Sequence, residues 1–215
     1  MRYNESMIQV LIVDDHAIVR EGLKQILSSD NGIVVAGEAG NAQEAMTRVQ
    51  ERNWDVVVLD ITLPDRNGLE VLKDIKHVRP QLPVLILTMH AGEQYAARAL
   101  KAGAAGYLNK ESIPEQLIQA IQKVVKGGRY ITPELAEMLL MDLDRDASKR
   151  PHDHLSDREF QILRLIGAGK TLTEIADELC LSVKTVSTYR ARVLEKMALK
   201  NNAELIRYAI EHQLA

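Results

Sequence analysis

One cysteine stands among 215 residues. That excludes a disulfide framework within one chain and fits a reducing cytosol. Long hydrophobic runs are missing as well. Apolar stretches such as Val10–Val13 and Val56–Leu59 fall far short of the ~20 residues that span a bilayer. Met1–Met7 lacks the apolar segment of a secretory leader and reads as a short frayed extension. There is no Gly-rich phosphate loop and no internal repeat. What remains is ordinary globular composition, 46% hydrophobic and 27% charged, which excludes disorder over most of the chain. At ~100–200 residues per domain the length allows one domain or two.

Charge favours two. The net charge is −3, but residues 150–215 carry ten basic and nine acidic side chains, leaving the rest acidic by four. Between Val183 and Lys200 there are five bases, Lys184, Arg190, Arg192, Lys196 and Lys200, against the single acid Glu195. An acidic first part and a locally basic second part suggest two jobs.

The first 126 residues alternate two periodicities. Short β-rich runs at Gln9–Val13, Ile33–Ala36, Val56–Leu59, Val84–Leu87 and Gly106–Leu108 are separated by helical patterns of about three turns. Five such alternations predict βα units around a parallel sheet. Runs as apolar as Val56–Leu59 belong at its centre, covered on both faces. Residues 129–154 are polar, acidic and proline-terminated towards their end, and read as a linker, with Thr132 and Pro133 starting one short helix through Leu140. From Leu155 onward the pattern is four helices with no strand signal. Ser156 with Glu159 makes a capping box, Thr171 or Thr173 starts the second helix, Ser182 the third, and Asn201 or Asn202 the last.

In a doubly wound sheet the functional crevice lies beyond the carboxyl ends of the strands. The first strand ends in Asp14-Asp15, the third in Asp60, the fourth in Thr88 and the fifth in Asn109-Lys110. In strand order 2-1-3-4-5 the three aspartates crowd together. They repel, and one gains a proton unless a cation compensates. Hard oxygen donors suit Mg²⁺. Such a site neutralises an incoming phosphoryl group and leaves Asp60 as nucleophile, with Thr88 donating a hydroxyl and Lys110 acting as a point cation. His16 reads as a polar residue starting a helix rather than a base.

Thr173–Arg192 reads as helix, tight turn, helix. Ile175, Ala176, Leu179, Leu181, Val183 and Val186 are spaced to form one small core, and Cys180 is expected as a buried structural thiol. The second helix then exposes Lys184, Thr185, Ser187, Thr188, Arg190, Ala191 and Arg192, a face able to enter a major groove. Leu205, Ile206, Ala209 and Ile210 form an apolar stripe on the last helix.

The stretches Leu11–Leu23, Asp55–Gly68, Leu87–Met89 and Gly103–Lys110, with the helix-turn-helix pattern, resemble two-component response regulators of the NarL/FixJ group with a LuxR-type output domain. The resemblance implies an α/β plus all-α chain: a CheY-like, flavodoxin-like (βα)5 receiver over residues 7–128, a linker over 129–154, and a four-helix DNA-binding domain over 155–215. It implies that Asp60 is the phosphoacceptor and that Mg²⁺ is bound by Asp14, Asp15, Asp60 and the backbone carbonyl of Thr62. Thr88 and Lys110 would read the phosphorylated state. Tyr107 stands at the family's switch aromatic, although a half-buried aromatic in an apolar strand accounts for it equally. Ser187, Thr188 and Ala191 would face bases. Lys184, Thr185, Arg190 and Arg192 would meet phosphates, with Tyr189 standing where many relatives have histidine. The implied partners are promoter DNA, a sensor histidine kinase, RNA polymerase and a second copy of the chain once phosphorylated or DNA-bound. The expected setting is cytoplasmic. The expected role is phosphorylation-controlled regulation of transcription, with at most slow self-dephosphorylation rather than enzymatic turnover. The alternatives are a constitutive DNA-binding regulator whose first domain only dimerises, a phosphatase or phosphotransferase with an Asp nucleophile, and a small-molecule-sensing regulator.

Overall fold

A computed structural model describes residues 7–89, 93–110, 113–133, 136–137 and 150–214. The chain divides into two compact units, Met1–Met138 and Leu139–Ala215.

The first unit is a five-stranded parallel sheet: β1 (Ile8–Val13), β2 (Ile33–Ala39), β3 (Val56–Asp60), β4 (Val84–Thr88) and β5 (Gly106–Asn109), in order β2-β1-β3-β4-β5. Between and after them run α1 (Ala17–Leu27), α2 (Ala42–Glu51), α3 (Gly68–Val78), α4 (Glu93–Lys101) and α5 (Ile113–Val125). Every residue of β3 and β4 is buried, as strands covered by helices on both faces require. Side chains from β1, β3, β4 and β5 on one face join Leu23 and Leu27 of α1 and Leu117, Ile121 and Val124 of α5 in one core. Burying each such side chain contributes about 1.5–3 kcal/mol. β2 runs three residues beyond the expected Ala36. Gly37 is needed there because a Cβ would stand 2.4 Å from the Trp54 ring.

Both edges of the sheet are partly covered. At the β2 edge the Arg52 guanidinium donates to the Ala36 carbonyl and lies 4.0 Å from the Trp54 ring centre. At the β5 edge Tyr130 pairs with Gly106 in parallel fashion: its N–H donates to the Ala105 carbonyl at 2.9 Å, and its carbonyl accepts from the Tyr107 N–H at 3.3 Å. Tyr130 was expected in the linker, but these main-chain bonds attach it to the sheet. Gly106 permits the approach, since a Cβ would sit 2.7 Å from the Tyr130 oxygen. Of the short helix expected over Pro133–Leu140, only its start lies within the described residues, where the Ala136 N–H donates to the Thr132 carbonyl.

The second unit opens with a 3-10 turn, Pro151–His154, followed by α6 (Asp157–Gly167), α7 (Leu172–Glu178), α8 (Val183–Lys196) and α9 (Asn202–Glu211). Ser156, Thr171, Ser182 and Asn201 cap the four helices through their side-chain oxygens. Each helix is followed by a left-handed residue, in turn Gly169, Cys180, Ala198 and Gln213. The next residue's N–H then reaches back to the carbonyl of Leu165, Ala176, Leu194 or Ala209, the Schellman pattern of helix ends. The core comprises Phe160, Leu163, Ile166, Ile175, Val186, Val193 and Leu205.

Four expectations change here. Cys180 is exposed, because its left-handed position at the end of α7 turns the thiol outward. Val183, expected in the core, is 45% exposed as the first residue of α8. Ile210 is 63% exposed, so the buried stripe of α9 is Leu205 and Ala209. His152, assigned to the linker by composition, is buried against Phe160, Tyr208 and His212, with Nδ1 2.7 Å from the Tyr208 hydroxyl.

Candidate functional site

Strand register brings the acidic residues together. Val13 pairs with Leu59 across β1 and β3, so Asp14 and Asp60 leave adjacent strands side by side. Both are buried, at 1% and 4% exposure. Lys110, at the end of β5, reaches across the sheet end, with Nζ 2.5 Å from Asp14 Oδ2 and 2.7 Å from Asp60 Oδ2. Thr88, buried, ends the intervening strand β4, and Tyr107 lies nearly buried in β5.

The electrostatics follow from this geometry. Burial pushes the Asp60 carboxyl up to about 6, and the Asp14 charge adds to the rise. Lys110 and a hydrogen bond from the Thr62 N–H pull the other way. Burial alone would depress Lys110, but Asp60 and Asp14 together hold its ammonium above the ordinary lysine value. Two carboxyls thus share one fixed cation, leaving the pocket receptive to further positive charge.

Asp15 and His16 lie at the rim, with side chains 26% and 62% exposed. Asp15 Oδ1 is buried and accepts no hydrogen bond, although His16 Nδ1 lies 2.7 Å away. Carboxylate oxygens of Asp14 and Asp15 and a ring nitrogen of His16 fall within 4.8 Å of one another. Clustered hard oxygens, one of them unsatisfied, fit a hydrated divalent cation such as Mg²⁺.

The loop after Asp60 is tightly held. Thr62 bridges to Asn67, whose side chain accepts from the Leu69 N–H at the start of α3. Gly68 packs so closely that a Cβ would lie 2.1 Å from the Asp60 carbonyl oxygen. The Asp65 carboxylate accepts from the N–H groups of Ala42 and Gln43, at 2.9 and 3.1 Å, and so caps α2 from the loop.

In the second unit α7, a tight turn and α8 form the helix-turn-helix. Lys184, Ser187, Thr188, Ala191 and Arg192 are exposed along α8, while Thr185, Tyr189 and Arg190 are half-buried. The Thr188 hydroxyl donates to the Lys184 carbonyl at 3.0 Å. The Arg190 guanidinium is tied to Asn202 at the start of α9. Arg192 lies 5.8 Å from the centre of the Tyr189 ring.

Residues 10–122 match the response regulator receiver domain family, and residues 153–209 match the bacterial regulatory proteins of the luxR family. The response regulator GacA of Pseudomonas protegens is 38% identical over 206 residues, covering 96% of this chain and 97% of its own. The chain belongs to the two-component response regulators. The response regulator UvrY of Escherichia coli is likewise 38% identical, over 209 residues, with 97% and 96% covered. Among solved structures, the Salmonella typhimurium response regulator RcsB superposes with a TM-score of 0.67 at 27% identity, covering 94% of this chain and 96% of that one. RcsB from Salmonella enterica serovar Typhimurium bound to a promoter in the presence of a phosphomimetic beryllium fluoride aligns at 28% identity and a TM-score of 0.59, covering 94% and 97%.

This response regulator is a phosphorylation-controlled regulator of transcription, with a CheY-like receiver and a LuxR-type helix-turn-helix domain. Among the described residues no helix is long and apolar enough to cross a membrane. Of the receiver residues singled out from sequence, the structure gathers Asp14, Asp60 and Lys110 into direct contact and sets Asp15 and Thr62 beside them. Thr88 and Tyr107 occupy the two strands towards Lys110. Two supporting residues escaped the sequence reading. Asp65 lies in the loop between β3 and α3, and its tie to the N–H groups of Ala42 and Gln43 joins residues 23 and 22 positions apart. Arg20 donates to the Asp14 carbonyl at 2.7 Å, a contact that no periodicity announces.

Proposed function

We propose that Asp60 accepts a phosphoryl group from a phosphohistidine of a sensor kinase, and that the resulting acyl phosphate controls binding of the LuxR-type domain to promoter sites. The single observation that carries this reading is the buried Asp60 carboxylate, sharing the Lys110 ammonium with Asp14 at the carboxyl end of a parallel sheet. An Asp60 carboxylate oxygen attacks phosphorus in line, the P–N bond breaks, and the electron pair leaves with the histidine nitrogen. Asp14, Asp15, Asp60 and the Thr62 carbonyl would hold Mg²⁺, which would supply charge neutralisation for the transferring oxygens.

Lys110 keeps a fixed positive charge on the product. The Thr88 hydroxyl donates to a phosphoryl oxygen, and Tyr107 reports that bond by a shift in its packing. Phosphorylation shifts a pre-existing equilibrium rather than creating a new fold. The product hydrolyses slowly at the same site without enzymatic turnover. On DNA the chain acts as a homodimer on half-sites about one helical turn apart. Ser187, Thr188 and Ala191 face bases, and Lys184, Thr185, Tyr189, Arg190 and Arg192 serve the backbone contacts. The protein works in the cytoplasm and contacts RNA polymerase. The domain limits are 7–128, 129–154 and 155–215, with Tyr130 and His152 held to their neighbouring units.

The test is capture of fragmented genomic DNA by wild-type protein and by Asp60→Asn, with and without acetyl phosphate and Mg²⁺. Discrete fragments enriched by wild type only after phosphodonor treatment, and never by Asp60→Asn, are expected. Equal enrichment in all conditions would replace this reading with a constitutive binder whose first domain only dimerises.

A further inference from the structure

Every polar group of Asp14 has a partner. Its N–H donates to the Ala39 carbonyl at 3.1 Å. Oδ1 accepts from the His16 N–H at 2.8 Å, and Oδ2 accepts from Lys110 at 2.5 Å. The main-chain carbonyl accepts from Arg20 Nη1 at 2.7 Å. Arg20 is one turn into α1, with only 20% of its side chain exposed. Its Nε donates to Glu38 Oε2 on β2 at 3.0 Å. The other Glu38 oxygen takes the Lys24 ammonium at 2.9 Å.

This arrangement fixes a peptide plane. The Asp14 carbonyl shares its plane with the Asp15 N–H, so holding that oxygen sets the direction from which the Asp15 side chain departs. Glu38 in turn holds the guanidinium. Arg is suited to this because one planar group serves two acceptors in fixed directions, which a lysine ammonium on a flexible stem does not reproduce. Electrostatics alone would argue against a cation here. Arg20 places a full positive charge beside a pocket that must attract another, so its net effect as a charge is repulsive.

We infer that Arg20 is a positioning residue for the receiver pocket, which orients the Asp14–Asp15 peptide so that both carboxylates can serve a divalent cation. The inference rests on the Mg²⁺ reading above and adds a residue that touches neither cation nor phosphoryl group. The two contributions of Arg20 have opposite signs, which makes the role measurable. As an orienting group, its loss weakens cation binding; as a nearby charge, its loss strengthens it.

The experiment is titration of full-length protein with MgCl₂ by calorimetry, for wild type, Arg20→Ala and Arg20→Lys, with amide hydrogen exchange at Asp15 and His16 in metal-free buffer. Thermal melts confirm that each variant is folded. Arg20→Ala is expected to weaken Mg²⁺ binding about tenfold, the size of effect seen when groups supporting metal ligands are removed. Its Asp15 and His16 amides are expected to exchange faster than in wild type. Arg20→Lys, which keeps the charge and can reach one acceptor, is expected to recover part of the affinity. Unchanged or tighter Mg²⁺ binding in Arg20→Ala would overturn the inference while leaving the metal reading intact. A wild type that binds no Mg²⁺ would overturn both.

Discussion

Lys110 holds Asp60 across the end of β4, with Nζ 2.7 Å from the carboxylate and both side chains buried. The ammonium is the strongest influence opposing the burial that raises Asp60. Replacing Lys110 by Ala should therefore move the Asp60 carboxyl above about 6. Carbon-detected NMR titration of metal-free protein reads this directly. An Asp60 value in Lys110→Ala at or below that of wild type would show that the contact does not govern the carboxyl.

The raised Asp60 carboxyl also has a stability consequence. A folded value of about 6 against 3.8 unfolded means that the native state holds this proton more tightly. The associated stability is present below pH ~4 and is lost as pH rises through about 6. In chelator, Asp60→Asn should then be more stable than wild type at pH 8, by an amount on the order of 1–3 kcal/mol. The advantage should shrink as pH falls towards 4. Urea melts across that range measure it, and a difference independent of pH would remove the titration from the explanation.

Three of the four left-handed residues that end helices in the second unit are not glycine: Cys180, Ala198 and Gln213. A non-glycine side chain in this conformation costs about 1 kcal/mol. Cys180→Gly should raise the stability of the LuxR-type domain by roughly 0.5–1 kcal/mol, since the exposed thiol gives up little packing. Cys180→Ser should leave it nearly unchanged. Thermal melts of the full chain, followed through the domain's helical signal, distinguish the two.

The cations of α8 differ in their freedom to meet DNA. Lys184 and Arg192 are exposed, whereas Arg190 is tied to Asn202. Lys184→Ala and Arg192→Ala should each lower the slope of log affinity against log salt by about 0.9, the loss of one phosphate contact. Arg190→Ala should lower it less while reducing stability. Ser187→Ala should leave the slope alone and relax sequence preference. Fluorescence anisotropy at several salt concentrations separates these effects.

The sheet order and the acidic pocket were readable from sequence for one reason. In a parallel βα sheet, function collects at strand ends, and a strand end is a position that hydrophobic periodicity locates well. Asp14, Asp60 and Thr88 each follow directly on such a run, and Lys110 follows one residue later, after Asn109. What escaped depends on partners far away in sequence. Gly37 and Glu38 disfavour a strand locally, so the strand signal stops at Ala36, whereas Trp54 packs on Gly37 and β2 continues to Ala39. His152 sits in a polar stretch, and its burial needs Tyr208, 56 residues later. The thiol of Cys180 points outward because the chain reverses hand at that residue, and an apolar spacing pattern carries no information on backbone sign. Arg20 was visible in the motif, but its bond to the Asp14 carbonyl involves main chain.

Tyr130 closes part of the free side of β5 through its bonds with Ala105 and Tyr107, and Arg52 occupies the Ala36 carbonyl on the free side of β2. Unpaired strand edges are templates on which a second molecule can add its own strand. The two residues take up hydrogen-bonding groups that such growth would use, at opposite edges of the same sheet. A receiver fragment cut after Gly128 loses Tyr130, whereas a fragment continuing through Thr132 keeps it. The shorter fragment should scatter light sooner on concentration or warming, even where both melt at the same temperature. Tyr130, outside the five strands, thus takes up hydrogen-bonding groups of β5 that an added strand would use.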